Sequence, residues 1–414
     1  VAEAPLAARR ARDAALAATV GDVLDGTRRA REREHTPEAG APFAVLDVLQ
    51  HAEELLDVAG VGRTGPGPAR GVHARSAPQR VDLEAAVVGQ RRETGSAREL
   101  GRLLARIALE RLGVLDDLAV VPSRRTRGPE EVSVGWQIDA YHFDLPVIAA
   151  PMDSVMSPQS AIAFGQHGGL PVLDLEGLWT RYPDPQPLLD EIAALAPERA
   201  TARMQEIYRE EIQPELIVER LRQVRDAGVT VAGALSPQRT QQFWRTVVDA
   251  GVDMFVIRGT TVSAEHVSGR AEPLNLKRFI YELDVPVIVG GVASYTPALH
   301  LMRTGAAGVL VGFGGGAAHT TRRTLGIHAP IASAIADVAA ARRDYLDESG
   351  GRYVHVIADG GVGTSGDIVK AIACGADAVM LGAALARSTE APGQGFHWGP
   401  EAHHGDLPRG ERVA

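Results

Sequence analysis

From Leu115 onward the apolar residues fall in short, unbroken runs rich in Val, Ile and Ala, without the apolar–polar alternation of a half-exposed sheet. Eight such runs stand out: Pro146 to Ala150, Leu170 to Leu173, Thr230 to Ala234, Met254 to Ile257, Pro286 to Val289, Gly308 to Val311, His355 to Ala358 and Ala378 to Leu381. Strands that are apolar on both faces mark a parallel sheet covered on both sides. Helix-like segments, such as Thr296 to Thr304 and Thr364 to Cys374, separate most of them. The steps from fifth to sixth run and from seventh to eighth are each the size of one strand–helix unit. Eight such units close a TIM (β/α)8 barrel, and this α/β architecture is the predicted fold. A doubly wound open sheet would use the same elements, but no Gly-x-Gly-x-x-Gly opens the first helix with an acidic residue downstream. The widest interval inside the barrel, Glu176 to Thr230, carries helical sequence from Leu188 to Gln213 and a second amphipathic stretch to Ala227.

The first 110 residues have another texture, rich in Ala, Arg, Gly and Pro and without a strand-like run. Helical spacing of Val45, Leu46, Val48, Leu49, Leu55 and Leu56 predicts one amphipathic helix over Phe43 to Ala59, and a second is predicted over Ala97 to Leu112. Gly60 to Arg80 reads as linker or disorder, because its Gly, Pro and Arg content cannot pack a core. The expected division is therefore an extension over 1–110, partly helical or disordered, and a barrel over 111–414. A barrel of ~250 residues plus extensions accounts for the length.

Composition narrows the function classes. A net charge of −9 argues against a nucleic-acid surface. The single cysteine, Cys374, rules out an intramolecular disulfide, and it sits mid-helix in DIVKAIACGADA beside Ile368 and Ala371, a packing position. No apolar run is long enough to span a membrane and the arginine-rich N-terminus lacks the apolar centre of a signal peptide, so a cytoplasmic location is expected.

Candidate chemistry lies after the sixth and seventh runs, where loops at the C-terminal ends of barrel strands carry active sites. Gly312 to Arg322 reads GFGGGAAHTTR, a density of glycine kept where backbone flexes or touches a ligand; the alternative is a loose surface loop. The seventh run ends in Asp359-Gly360-Gly361 and the eighth in Gly382-Ala383. An aspartate there can accept both ribose hydroxyl protons, with the glycines letting backbone N–H groups approach a phosphate. The alternative is that Asp359 caps the next helix and the glycines only turn the chain.

These stretches resemble the catalytic loop and the ribose and phosphate loops of the IMP dehydrogenase/GMP reductase family, and the resemblance extends from about Leu115 to Val413. It is nearest to the family branch from GC-rich bacteria that lacks the paired CBS module; the Glu176–Thr230 interval has no room for one. The resemblance implies a purine 5′-mononucleotide as ligand, NAD or NADP as hydride partner, a place in purine metabolism on the way to GMP, and a homo-oligomer, by family a tetramer. It makes Asp359 the ribose ligand and Gly316, Gly361, Gly382 and Ala383 phosphate contacts, with Ala317 and Ala383 standing where the family has serines. It places Met152, in LPVIAAPMDSV, against the purine with Asp153 as an orienting carboxylate; a core methionine is the alternative. Leu115 to Arg125 resembles the family's hairpin ahead of the barrel, and Gly290-Gly291 matches the pattern after the fifth strand but for one asparagine. Where the family sets an aspartate and serines against the nicotinamide, this chain has Arg258, Gly259 and Thr260.

The main departure is at His319, where the family carries the cysteine that attacks C2 of the purine. Neutral imidazole is a poorer nucleophile for that carbon than a thiolate. His319 can instead serve as general base for direct water attack with Thr320 or Thr321 placing the water, as a nucleotide contact, or as a spectator. The family's potassium site uses a carbonyl of the replaced cysteine, which argues against that ion here. The family's mobile flap has no counterpart in the short polar tail Gly393 to Ala414, where Arg409 and Arg412 are candidates by position and His397, Glu401, His403 and His404 form a weak metal motif, so no metal is expected. Three functions stay open: a nicotinamide-dependent oxidoreductase of a purine mononucleotide, a silent nucleotide-binding pseudoenzyme, and a barrel that binds FMN with the same phosphate loops.

Overall fold

The computed structural model describes residues 114–121, 132–267, 269, 272–313, 315–404 and 410–414, together with the backbone of 72–76 and 79–80. The helices expected over Phe43 to Ala59 and Ala97 to Leu112 lie outside the described residues. Gly60 to Arg80, expected as linker, contributes strands β1 (Val72–Ser76) and β2 (Gln79–Arg80). β1 pairs antiparallel with β3 (Leu118–Val120), Val72 opposite Val120. A local composition argument misses this because the partner strand lies in another part of the sequence. Of Leu115–Arg125, expected as the hairpin ahead of the barrel, β3 is described and residues 122–125 lie outside the described residues; a further hairpin also precedes the barrel. It is formed by β4 (Trp136–Ile138) and β5 (Tyr141–Phe143), whose two-residue turn puts Asp139 at φ 53°, a conformation that aspartate tolerates.

Eight parallel strands form the barrel: β6 (Val147–Ala149), β7 (Val172–Asp174), β8 (Ala232–Leu235), β9 (Met254–Arg258), β10 (Val287–Val292), β11 (Gly308–Val311), β12 (His355–Asp359) and β13 (Ala378–Leu381). Each falls on a predicted run. The order around the sheet is β6-β13-β12-β11-β10-β9-β8-β7. A bridge between Ile148 and Leu170 joins its ends: Leu170 N–H donates to Val147 at 3.0 Å and Ala149 N–H donates to Leu170 at 2.9 Å. The strands are buried almost throughout because both faces are covered, which is why their sequences are continuous apolar runs.

Capping chemistry fixes where the outer helices start. Ser157 opens α1 (Pro158–Gln166) through a reciprocal capping box with Ser160, and Thr364 opens α10 (Ser365–Cys374) through one with Asp367. Cys374 is therefore the last helical residue, not a mid-helix one; it packs against the core, and burial pushes its thiol up to about 12. The interval after β7 folds as α2 (Gln186–Ala194), α3 (Pro197–Ile207) and α4 (Pro214–Asp226). With α5 (Pro237–Asp249), α6 (Leu276–Glu282), α7 (Tyr295–Met302), α8 (Thr321–Leu325) and α9 (Ile331–Glu348), these complete the coat up to α10.

A second apolar cluster lies outside the barrel core. Leu178, Trp179, Leu189, Ile192, Met204 and Ile207 meet Trp398 and Ala402 of the C-terminal segment. The expected polar tail is thus built into the fold. Its short helix α12 (Pro400–His403) rests on α3, and His397 and Val413 bond to each other through both backbone groups, at 2.7 and 2.9 Å. Arg412 reaches the carbonyls of Ile192, Ala193 and Leu195 and stacks on Phe396 at 3.8 Å, so it anchors the tail and does not enter the mouth of the barrel. Arg409 lies outside the described residues.

Candidate active site

The mouth at the C-terminal ends of the strands gathers most of the predicted residues. Gly312, at φ 147°, lies so close to β12 that a Cβ would sit 2.0 Å from the carbonyl oxygen of Asp359. A Cβ on Gly360 would come 2.9 Å from the Gly316 nitrogen. The loop after β11 is therefore laid directly on the Asp359-Gly360-Gly361 turn, which is possible only without side chains at the contact. Gly314 lies outside the described residues. Across the mouth, Met152 packs against Gly382, its sulfur 3.5 Å from where a Cβ of that glycine would be. Ala383 follows as the first residue of α11 (Ala383–Ala386). Asp359 is not the cap of α10, a role that Thr364 fills.

His319 ends the β11 loop beside Gly316, with its Nδ1 buried and without a hydrogen-bond partner. Desolvation, reinforced by the Arg258 charge and only partly opposed by Glu401 and Asp359, holds the imidazole below its ordinary value, so it is neutral at pH 7. Thr321 is fully buried and donates to Glu401 Oε1 at 3.1 Å, while Glu401 Oε2 and Thr320 Oγ1 are buried without partners. A neutral imidazole, a hydroxyl and a carboxylate thus lie together at the end of the β11 loop. The residues can hold a water and take its proton; the set contains no thiol.

Asp153 anchors the opposite wall. Tyr208 donates to its Oδ2 at 2.5 Å, Trp398 Nε1 donates to the Tyr208 hydroxyl at 2.9 Å, and Oδ1 is left buried without a partner. Burial raises Asp153 to about 6, and burial with the neighbouring Asp153 and Glu176 carboxylates raises Asp174 well above the usual range. Arg258, expected on the cofactor side, pairs instead with Asp359 at 3.5 Å. Gly259 gives its N–H to Gly290 and its carbonyl to the Gly291 N–H, at 2.9 and 3.0 Å. Thr260 is exposed. Among the described residues no group of three or more His, Cys, Asp or Glu can hold a metal ion; His403 of the weak motif is stacked on Tyr208 at 3.8 Å.

Asp174, Tyr208, Trp398 and the Thr321–Glu401 contact were missed in the sequence. A lone tryptophan in a polar tail was the available signal for one of them.

The sequence profile of the IMP dehydrogenase/GMP reductase domain matches residues 114–402, most of the chain and all of this mouth. The chain belongs to the IMP dehydrogenase/GMP reductase family. Proteins described as uncharacterized oxidoreductases in Mycolicibacterium smegmatis and Mycobacterium tuberculosis are each 53% identical over 302 residues, covering 72% of this chain and 80% of theirs. Inosine-5′-monophosphate dehydrogenase of Haemophilus influenzae is 36% identical over 191 residues, covering 46% of this chain and 36% of its own. An IMP dehydrogenase/GMP reductase-like protein of Corynebacterium glutamicum has a crystal structure that superposes with a TM-score of 0.69 at 50% identity, covering 73% of this chain and 80% of that one. This is an oxidoreductase-type family, and no described helix of the chain is long and apolar enough to cross a membrane.

Proposed function

We propose that the barrel mouth binds a purine 5′-mononucleotide and that His319 acts there as a proton acceptor for water in place of a cysteine nucleophile. The observation that carries the reading is the glycine-only contact of the β11 loop with the Asp359-Gly360-Gly361 turn, a cradle that side chains would fill. In this reading Asp359 accepts the ribose hydroxyls, Gly316, Gly361, Gly382 and Ala383 offer backbone N–H groups to the phosphate, and Met152 packs on the purine. Burial of Met152 against Gly382 supports its contact with the base.

A water beside C2 gives its proton to the neutral His319, whose Nδ1 has no competing partner. Thr321 positions that water while its own proton is held by Glu401. An oxidoreductase of this family passes hydride between the purine and NAD or NADP. Arg258 and Gly259 are not the groups that would hold the nicotinamide receiving that hydride, because Gly259 has spent both backbone groups on β10 and Arg258 is drawn to Asp359. The nucleotide half of the site is the part that the geometry supports.

The test is calorimetric titration of the full chain with IMP, XMP and GMP, followed by nicotinamide absorbance at 340 nm with whichever ligands bind. Binding with turnover that His319→Ala abolishes is the expected result. Binding without turnover identifies a nucleotide-sensing pseudoenzyme, and a yellow flavin spectrum in the purified protein identifies an FMN barrel. Unaltered nucleotide affinity in Asp359→Ala would overturn the ribose assignment, since two charge-assisted hydrogen bonds are together about 2–4 kcal/mol.

A further inference from the structure

Arg258 is the most unusual charge at the mouth. It is the last residue of β9, its side chain is 12% exposed, and its Nε is buried without any hydrogen-bond acceptor. Among the described residues its ion pair is to Asp359 Oδ2, spans 3.5 Å and is not accompanied by a hydrogen bond. A guanidinium carries five N–H donors in a planar fork, and the one on Nε is left unmatched away from water, which is costly. The group is therefore held ready for an acceptor that comes with the ligand. Its side chain is tied to Asp359, on the ribose side of the mouth, and its charge is felt by His319, the residue proposed to face C2, and by Asp174 on the neighbouring wall. In a purine nucleoside the base atoms that run from the ribose toward C2 are N3 and then C2 with its substituent.

We propose that Arg258 selects among purine nucleotides at this mouth by reading the N3/C2 edge, favouring a base with negative charge there, as in xanthine, over hypoxanthine and guanine. This rests on the nucleotide reading given above and deepens it. Xanthine nucleotides lose the N3 proton near neutral pH and then offer N3 and the C2 oxygen as two adjacent anionic acceptors, a match for a planar two-pronged donor. Hypoxanthine offers one neutral acceptor at N3 and a C–H at C2. Guanine turns an amino group, itself a donor, toward the guanidinium.

The experiment is calorimetry at neutral pH with XMP, IMP and GMP on the full-length wild type, Arg258→Gln and Arg258→Lys, with melting curves to confirm folding. The wild type should bind XMP roughly 10- to 100-fold more tightly than IMP, with GMP weakest. Arg258→Gln should bring XMP and IMP within a few-fold of one another, and Arg258→Lys, which keeps charge but not the fork, should keep part of the preference. Equal wild-type affinities for XMP and IMP, or a preference for XMP that survives Arg258→Gln, would overturn the assignment and leave the nucleotide site standing. Failure of all three nucleotides to bind the wild type would overturn the nucleotide reading itself and this assignment with it. The wild-type selectivity decides the matter even if Arg258→Gln does not fold.

Discussion

The Arg258–Asp359 pair lends itself to a double-mutant cycle, because its two members sit on different strands and, among the described residues, neither forms another ion pair. At 3.5 Å the gross attraction in a medium of effective dielectric near 20 is about 5 kcal/mol. Both side chains are largely shielded, at 12% and 17% exposure, so desolvation takes back more than half of that. A net coupling of about 1–2 kcal/mol remains. Asp359→Asn should destabilise the fold by about 2–3 kcal/mol, since it strands a shielded cation, and Arg258→Gln by about 1–2 kcal/mol. The double variant should cost about 2–3 kcal/mol, less than the sum of the two. Urea unfolding followed by far-ultraviolet circular dichroism measures each corner of the cycle, and repeating it at high salt should change the coupling little because the pair is shielded. Additivity of the single effects within about 0.5 kcal/mol would refute the reasoning. It would show that the guanidinium does not depend on Asp359 for its neutralisation.

Gly312→Ala forces a Cβ to within 2.0 Å of the Asp359 carbonyl oxygen at a φ of 147°; about 2–4 kcal/mol of stability should be lost, with nucleotide affinity falling in parallel, and an unchanged urea midpoint would refute the close contact. His403 gives a signed pH effect. Desolvation of its ring, with the Arg181 and His404 charges, pushes it down to about 3, whereas the unfolded ring titrates near 6.5. Below about pH 6.5 the unfolded state binds the extra proton, so this contribution is complete above that pH and is lost at about 1.4 kcal/mol per pH unit as pH falls toward 3. Asp153, raised to about 6, works in the opposite sense between about pH 4 and 6. Replacing His403 with Phe keeps a ring on Tyr208 and should flatten the acid loss; a stability–pH slope identical to that of the wild type would show that His403 does not titrate as argued.

The barrel was legible because its cause is local. A strand covered on both faces has to be apolar at every position, so Met254 to Ile257 or Gly308 to Val311 announce themselves without a partner being known. The hairpin Trp136–Phe143 and the pairing of Val72–Ser76 with Leu118–Val120 were not legible, since their identity lies in the partner and not in the segment. The glycines and Asp359 were legible for the same reason as the strands: contact with a neighbouring backbone demands glycine whatever the neighbour's sequence.

What was hidden has a common origin in the tail. Read alone, Gly393 to Ala414 is short and polar, with His397, Glu401 and His403 suggesting at most a loose metal motif. In the fold Trp398 and Ala402 dock on the cluster of Leu189, Met204 and Ile207, and that docking brings Glu401 to Thr321 and covers Tyr208 with His403. The long interval after β7 therefore has a specific use: α2 and α3 are the platform on which the tail closes over the mouth. Each half is uninterpretable without the other. A tail of this composition has no reason to fold by itself, and α2 and α3 would leave Leu189, Met204 and Ile207 without the tail's share of their cover. The length of the β7–β8 interval and the carboxylate beside Thr321 are thus one feature of the molecule, joined by the burial of a single tryptophan.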